Sequence, residues 1–293
     1  LDKLSPLLSI LAEFSMADFP LLLEPEALAA QLPLTAAQGS VLIVEQAKYD
    51  DYLQQHIPGA VHLDFKRLQC SGQPVPGKLP PVEQLSEVFS ALGLTPDTHV
   101  ICSDDEGGGW AGRLIWVLDM IGHPHYSYLN GGIVAWRDAG LPTESGEYKV
   151  QPSDYRVGTL HHEFALDKEQ IIERLGQPDF AIWDARSAAE YRGEKVISQR
   201  GGHIPGAVNY EWTLGMDKAR GLRINELNSF RQLLSDMGID NSKEIATHCQ
   251  THHRSGFTYL VGKILGLNIK GYAGSWSEWG NDPATPVTTG SQP

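Results

Sequence analysis

The segment His56-Ile57-Pro58-Gly59-Ala60-Val61 returns as His203-Ile204-Pro205-Gly206-Ala207-Val208. Other features keep nearly the same offset: Leu42-Ile43-Val44-Glu45 matches Ala181-Ile182-Trp183-Asp184, Asp51-Tyr52 matches Glu190-Tyr191, and Trp136 matches Trp279. A 293-residue chain that repeats itself in this way is a tandem duplication, so whatever fold one unit takes is built twice. In each half, apolar runs of strand length alternate with helical patterns, as in Asp97 to Cys102 followed by Ala111 to Ile121. That alternation implies an α/β fold, with a central, mainly parallel sheet flanked by helices in each half.

Residues 143–152, with Gly, Ser, Glu and Pro and little apolar periodicity, read as a linker between a first domain, 18–142, and a second, 153–288. Asp167 and Gln170 make a capping-box pattern ahead of Ile171, Ile172 and Leu175, so the second half soon returns to helix. Residues 1–17 are expected to be an extension outside the fold and 289–293 a tail. The leucines of the extension recur at helical spacing, but Pro6 and Glu13 interrupt them and the pattern of a signal peptide is missing.

Lys and Arg number 23 against 36 Asp and Glu, a formal charge of −13. That balance argues against nucleic acid or an anionic membrane surface as a partner, since both demand basic patches. No stretch approaches the roughly 20 apolar residues of a membrane span. Three cysteines, Cys70, Cys102 and Cys249, are an odd and sparse set that suits a reducing compartment, and the cytoplasm is expected.

Cys249 heads the loop Cys249-Gln250-Thr251-His252-His253-Arg254, between an apolar run ending at His248 and a helical stretch expected from about Ser255. A thiol there faces the unpaired N–H groups and positive dipole end of the next helix. With Arg254 beside it, such a thiol tends to be a thiolate. Gln250 to Ser255 therefore form a candidate anion-binding loop. The C-x-x-H-H spacing of Cys249, His252 and His253 also permits a metal reading, but no second cysteine-histidine cluster lies nearby in sequence, and an anion pocket explains the same residues without one. In the first copy Asp104 stands where Cys249 stands in the second, followed by Asp105-Glu106-Gly107-Gly108-Gly109. Those acids are expected to repel an anion that the second copy attracts, and the glycine run lacks the Lys-Ser/Thr ending of a phosphate loop. Cys102, in mid-strand, reads as packing. His203 reads as structural, and Trp276 and Trp279 as packing, with one ring shielding the sulfur.

The twin HIPGAV segments, the Asp184-Ala185-Arg186 strand end, the single Cys loop and Gly274-Ser275-Trp276 together resemble the rhodanese family of sulfurtransferases, from about Asp18 to Pro286. The CQTHHR loop is similar to that of a bacterial subgroup of tandem-domain thiosulfate sulfurtransferases. The resemblance implies two tandem rhodanese-like domains, the first inactive, with the active site near the domain interface. It differs from the C-R-K-G-V-T loop of familiar two-domain thiosulfate enzymes and from the C-G-S/T-G-V-T loop of mercaptopyruvate enzymes. Asp184-x-Arg186 with Glu190-Tyr191 resembles instead the single-domain pattern D-x-R-x-x-x-E-Y/F, in which the Glu supports an Arg that closes the loop, and Arg254 is placed to be that partner.

By this resemblance Cys249 takes sulfane sulfur from thiosulfate or a related donor and carries it as a persulfide, with no further cofactor and no metal. The acceptor is cyanide in assay, and a cellular thiol or sulfur-accepting protein in vivo. His252 and His253 either add charge and meet the donor or form an exposed neutral pair. Arg186 either orients the loop or ties a strand end to a carboxylate. Rival readings are 3-mercaptopyruvate as donor, a phosphatase or arsenate reductase of the same fold, and an interaction module. Phosphatases of this fold use C-x5-R, whereas Cys249 to Arg254 is C-x4-R.

Overall fold

The computed structural model describes residues 19–38, 40–70 and 75–293; the expected extension, 1–17, lies outside the described residues. The first half builds a five-stranded parallel sheet from β1 (Leu22–Leu23), β2 (Val41–Gln46), β3 (Val61–His62), β4 (His99–Asp104) and β5 (Tyr126–Leu129), in the order β1-β5-β4-β2-β3. The second builds a four-stranded parallel sheet from β6 (Phe180–Asp184), β7 (Ala207–Asn209), β10 (Glu244–His248) and β11 (Ile269–Gly271), in the order β11-β10-β6-β7. Between β7 and β10, β8 (Met216–Asp217) and β9 (Arg223–Ile224) pair antiparallel. The central strands are buried almost throughout, which is why they read as continuous apolar runs rather than alternating ones. The capping box of Asp167 and Gln170 forms at the start of helix Lys168–Arg174.

The repeated motif has the same structural job in both halves. His56 Nδ1 lies 2.9 Å from the Tyr52 carbonyl and His203 Nδ1 2.8 Å from that of Tyr191. The Tyr52 hydroxyl donates to the Ala60 carbonyl at 2.7 Å and the Tyr191 hydroxyl to that of Ala207 at 2.6 Å. Gly59 and Gly206 have φ of 76° and 81°, a left-handed turn that glycine takes without the strain of a Cβ. Trp136 and Trp279, both fully buried, each donate to a proline carbonyl, Pro142 and Pro286.

Each nucleophile-position loop leads into a helix, Gly109–Met120 after β4 and Arg254–Ile264 after β10. The two helices pack against each other where Gly112 meets Gly256: a Cβ at Gly112 would lie 2.2 Å from the Gly256 carbonyl oxygen. Every residue of the first helix except Trp110 is buried, and one apolar cluster runs through both halves, from Leu42 and Trp116 to Phe257 and Ile269. Burial of this extent favours one continuous body over two loosely tethered ones. It also brings the start of the first helix beside the Cys249 loop.

Candidate active site

Cys249 follows the last residue of β10, at the carboxyl end of a parallel strand, and its side chain is 1% exposed. Its carbonyl accepts from Trp276 N–H at 3.0 Å and the Gln250 carbonyl from Ser277 N–H at 2.9 Å, so helix Ser275–Trp279 holds the base of the loop. His252 sits at φ 56°, the left-handed conformation that turns the chain back toward the sulfur. The helix begins at Arg254, one residue before the expected start.

Burial pushes the Cys249 thiol up, yet the net shift is downward. The Arg254 charge, the Ser255 hydroxyl and the N–H groups of Ser255 and Thr251 all favour the thiolate and outweigh the loss of water. The Ser255 hydroxyl is also 2.7 Å from His252 Nδ1. His252 is fully buried, with its ring edge-on to Trp116 at 4.6 Å, and burial beside Arg113 drives its pKa well below the ordinary histidine value. With its proton on Nδ1, a neutral His252 would donate to the Ser255 hydroxyl, leaving that hydroxyl's own proton for the Cys249 sulfur.

The alternative of an exposed histidine pair does not hold. His252 is enclosed, and His253 reaches into the first half, where its ring stacks on Trp110 at 3.7 Å and its Nε2 meets the Glu106 carboxylate. Both rings were drawn from solvent because the loop is sandwiched between the two halves, a fact no local pattern carries. The two histidines have different partners, Ser255 and Glu106, and among the described residues no group of three His, Cys, Asp or Glu side chains is arranged to hold a metal ion.

Arg254 Nη1 and Nη2 donate to the two carboxylate oxygens of Glu190 at 2.7 and 2.9 Å. Glu190 also accepts from the Ser187 hydroxyl at 2.8 Å and closes the capping box of helix Ala188–Arg192. Burial raises its carboxyl, but the Arg254 hydrogen bond and charge win and hold it down at about 2. Arg186 binds Asp184 through Nε at 2.9 Å, donates to the Gly202 carbonyl at 2.8 Å, and lies 4.3 Å over the Trp276 ring. Asp184 and Arg186 are both buried, so this pair ties the end of β6 to Trp276 beneath the loop. Gln250 donates from Nε2 to the Ser198 hydroxyl at 3.1 Å.

The first half contributes more than the sequence indicated. Arg113, one turn into the first helix, is fully buried; its Nη2 donates to the Leu68 carbonyl at 2.9 Å, while Nε and Nη1 have no partner among the described residues. Burial pulls it down to about 9, and the Cys249 negative charge opposes that pull. Its one sequence signal is a lone cation in the apolar run Trp110-Ala111-Gly112-Arg113-Leu114-Ile115-Trp116. Gly77 packs over the other side, where a Cβ would lie 2.6 Å from the Thr251 carbonyl oxygen.

The expected repulsive acids of the first copy are also arranged differently. Asp104 is buried, and its carboxylate accepts from the N–H groups of Glu106, Gly107, Gly108 and Ala111 at 2.9 to 3.3 Å. The first loop is an anion cradle filled by its own side chain, because Asp104 turns inward instead of facing an incoming anion. Burial lifts that carboxyl to about 7 against the pull of those N–H groups.

Among the described residues no helix is long and apolar enough to cross a membrane. A family model described as a rhodanese-like domain matches residues 28–139 and again 167–282. A thiosulfate sulfurtransferase of Pseudomonas aeruginosa is 49% identical over 272 residues, 92% of this chain and 98% of that protein. One of Azotobacter vinelandii is 50% identical with the same coverage. A protein of Pseudomonas aeruginosa named "Probable 3-mercaptopyruvate sulfurtransferase" is more distant, 36% identical over 254 residues, covering 82% of this chain and 86% of its own.

Proposed function

The chain belongs to the rhodanese family as a tandem of two of its domains, and on that premise we propose that it is a thiosulfate sulfurtransferase working through a Cys249 persulfide. The observation that carries this reading is a fully enclosed thiol whose acidity is raised despite its burial. Without a stabilised anion at that atom, burial alone would make it inert.

The Cys249 thiolate attacks the sulfane sulfur of thiosulfate. A bond forms between Sγ and that sulfur, the donor's S–S bond breaks, and sulfite leaves with the bonding pair. Cyanide, or a thiolate of a small molecule or protein, then attacks the outer sulfur and releases Cys249 as thiolate, so no outside oxidant or reductant is consumed. The N–H groups of Thr251 and Ser255 and the Ser255 hydroxyl stabilise negative charge on Sγ before and after transfer. The two unpaired nitrogens of Arg113 are the donors we assign to the sulfonate oxygens of thiosulfate. Gln250, Thr251, His252, His253 and Ser255 shape the anion loop, while Asp184, Arg186, Glu190 and Trp276 hold it in place. The carrier is the persulfide itself, with no cofactor or metal in the steps.

Catalysis is thus assigned to the domain at 153–288, joined through 143–152 to a domain at 18–142 that serves as wall and charge. Three free cysteines fit a reducing compartment, the cytoplasm. Arg254 argues against phosphatase chemistry, because both of its terminal nitrogens are held by Glu190 and the C-x4-R loop closes around a single sulfur. The ratio of kcat/KM for thiosulfate to that for 3-mercaptopyruvate tests the donor assignment. The proposal expects thiosulfate to be preferred, and a preference for 3-mercaptopyruvate overturns it.

A further inference from the structure

A cavity of about 690 Å³ opens in the first domain, lined by Glu45, Ala47, Asp51, Asp105, Arg137 and Glu144 among others. The internal repeat explains its shape. Glu45 occupies the place of Asp184, and Asp51 that of Glu190, the two carboxylates that bind arginines in the second domain. Those arginines are missing from the first domain: Ala47 stands for Arg186 and Gly109 for Arg254. Two acids were kept and both of their cations lost.

The consequence is visible at Glu45. It is 1% exposed; its Oε2 accepts the Ile57 N–H at 3.2 Å, but its Oε1 has no partner among the described residues. Burial lifts its carboxyl to about 8 against the pull of the Ile57 N–H and the Arg137 charge. The Asp51 side chain likewise makes no hydrogen bond or ion pair among the described residues. Glu144 accepts the Gly59 N–H at 3.0 Å, and Arg137, the one cation in the lining, reaches Gln55 at 3.5 Å. Four carboxyl groups face one guanidinium, and a buried carboxyl oxygen without a partner is costly to keep; a cation bound beside Glu45 ionises it and releases its proton.

We propose that this cavity binds a small alkylguanidinium ligand, whose head group takes the place of the arginine side chain that Ala47 lacks and donates to Glu45. A planar, weakly hydrated fork matches a carboxylate better than an ammonium does, and Arg186 on Asp184 shows the arrangement in the second domain. This site is separate from the Cys249 loop, so its ligand is not a participant in sulfur transfer.

Titration calorimetry of the intact protein with methylguanidinium tests the idea. One saturable site is expected, weakened by about ten-fold or more in Glu45→Gln, since a charge-assisted hydrogen bond is lost. Ala47→Arg, which fills the cavity with a guanidinium from the chain itself, is expected to abolish binding. If Ala47→Arg does not fold, Glu45→Gln decides alone, with its circular dichroism and thiosulfate turnover matching the unmodified protein. Absence of saturable binding, or unchanged binding in folded Glu45→Gln, overturns the proposal. Loss of turnover by Cys249 variants has no bearing on it.

Discussion

Glu190 and Arg254 meet through two parallel hydrogen bonds, 2.7 and 2.9 Å, that tie helix Ala188–Arg192 to the first turn of the helix behind the Cys249 loop. Glu190 is 2% exposed in its side chain and Arg254 21%, so neither charge is fully solvated. Removing one partner strands the other, at a cost of roughly 3–5 kcal/mol for a buried pair.

A double-mutant cycle with Glu190→Gln and Arg254→Gln, read in unfolding free energy and in thiosulfate turnover, should be strongly non-additive, the double variant losing much less than the two singles combined. The pair also sets an acid limit. Glu190 is held at about 2, below the ordinary value of about 4.3. Its contribution is therefore complete above about 4.3 and is lost as pH falls from there toward 2. Glu190→Gln should flatten the stability profile in that window.

Ser255→Ala removes the hydroxyl that links His252 to the sulfur. The Cys249 thiol pKa, measured as the midpoint of iodoacetamide alkylation against pH, should rise by about one unit. A midpoint that does not move would mean that the hydroxyl does not stabilise the thiolate.

Arg113→Met separates a substrate contact from a structural one. Methionine removes a buried cation with two unpaired nitrogens, whose desolvation is costly, and this offsets the bond lost at the Leu68 carbonyl, so Tm should change little. KM for thiosulfate should rise by about ten-fold or more as charge-assisted bonds to the donor are lost. A lower Tm with unchanged KM would make Arg113 a structural cation.

Asp104→Ala empties the cradle of the first loop and leaves its buried N–H groups without an acceptor. Each such group costs about 1–3 kcal/mol, so unfolding should shift by several kcal/mol. Asp104→Asn, which keeps an acceptor oxygen, should lose less. Equal stability of the alanine variant and the unmodified protein would contradict the cradle.

Much of this was legible before any coordinates. Two copies of HIPGAV announce two copies of one fold because the motif makes its own contacts, histidine to the carbonyl of a nearby tyrosine and glycine at positive φ, within a short stretch of chain. Cys249 announces itself by local means too, a thiol between a strand and a helix. Arg113 does not. Its meaning depends on the Gly112–Gly256 crossing, which lays one helix on another across the repeat, and a lone cation in an apolar helix says only that something pairs with it. The inward turn of Asp104 was missed for a similar reason: a string of acids reads as a repulsive surface until the backbone N–H groups around it are placed. The enclosure of His252 and His253 likewise comes from residues far away in sequence, Trp116, Trp110 and Glu106.

Sulfur on Cys249 is the central claim, and intact mass after exposure to thiosulfate reads it directly. The unmodified protein should gain one sulfur, mapped to the Cys249 peptide and discharged by cyanide as thiocyanate. Cys70→Ser and Cys102→Ala should gain it as well, and Cys249→Ser should gain none. Sulfur carried on another residue, or thiosulfate turnover by folded Cys249→Ser, would contradict the account.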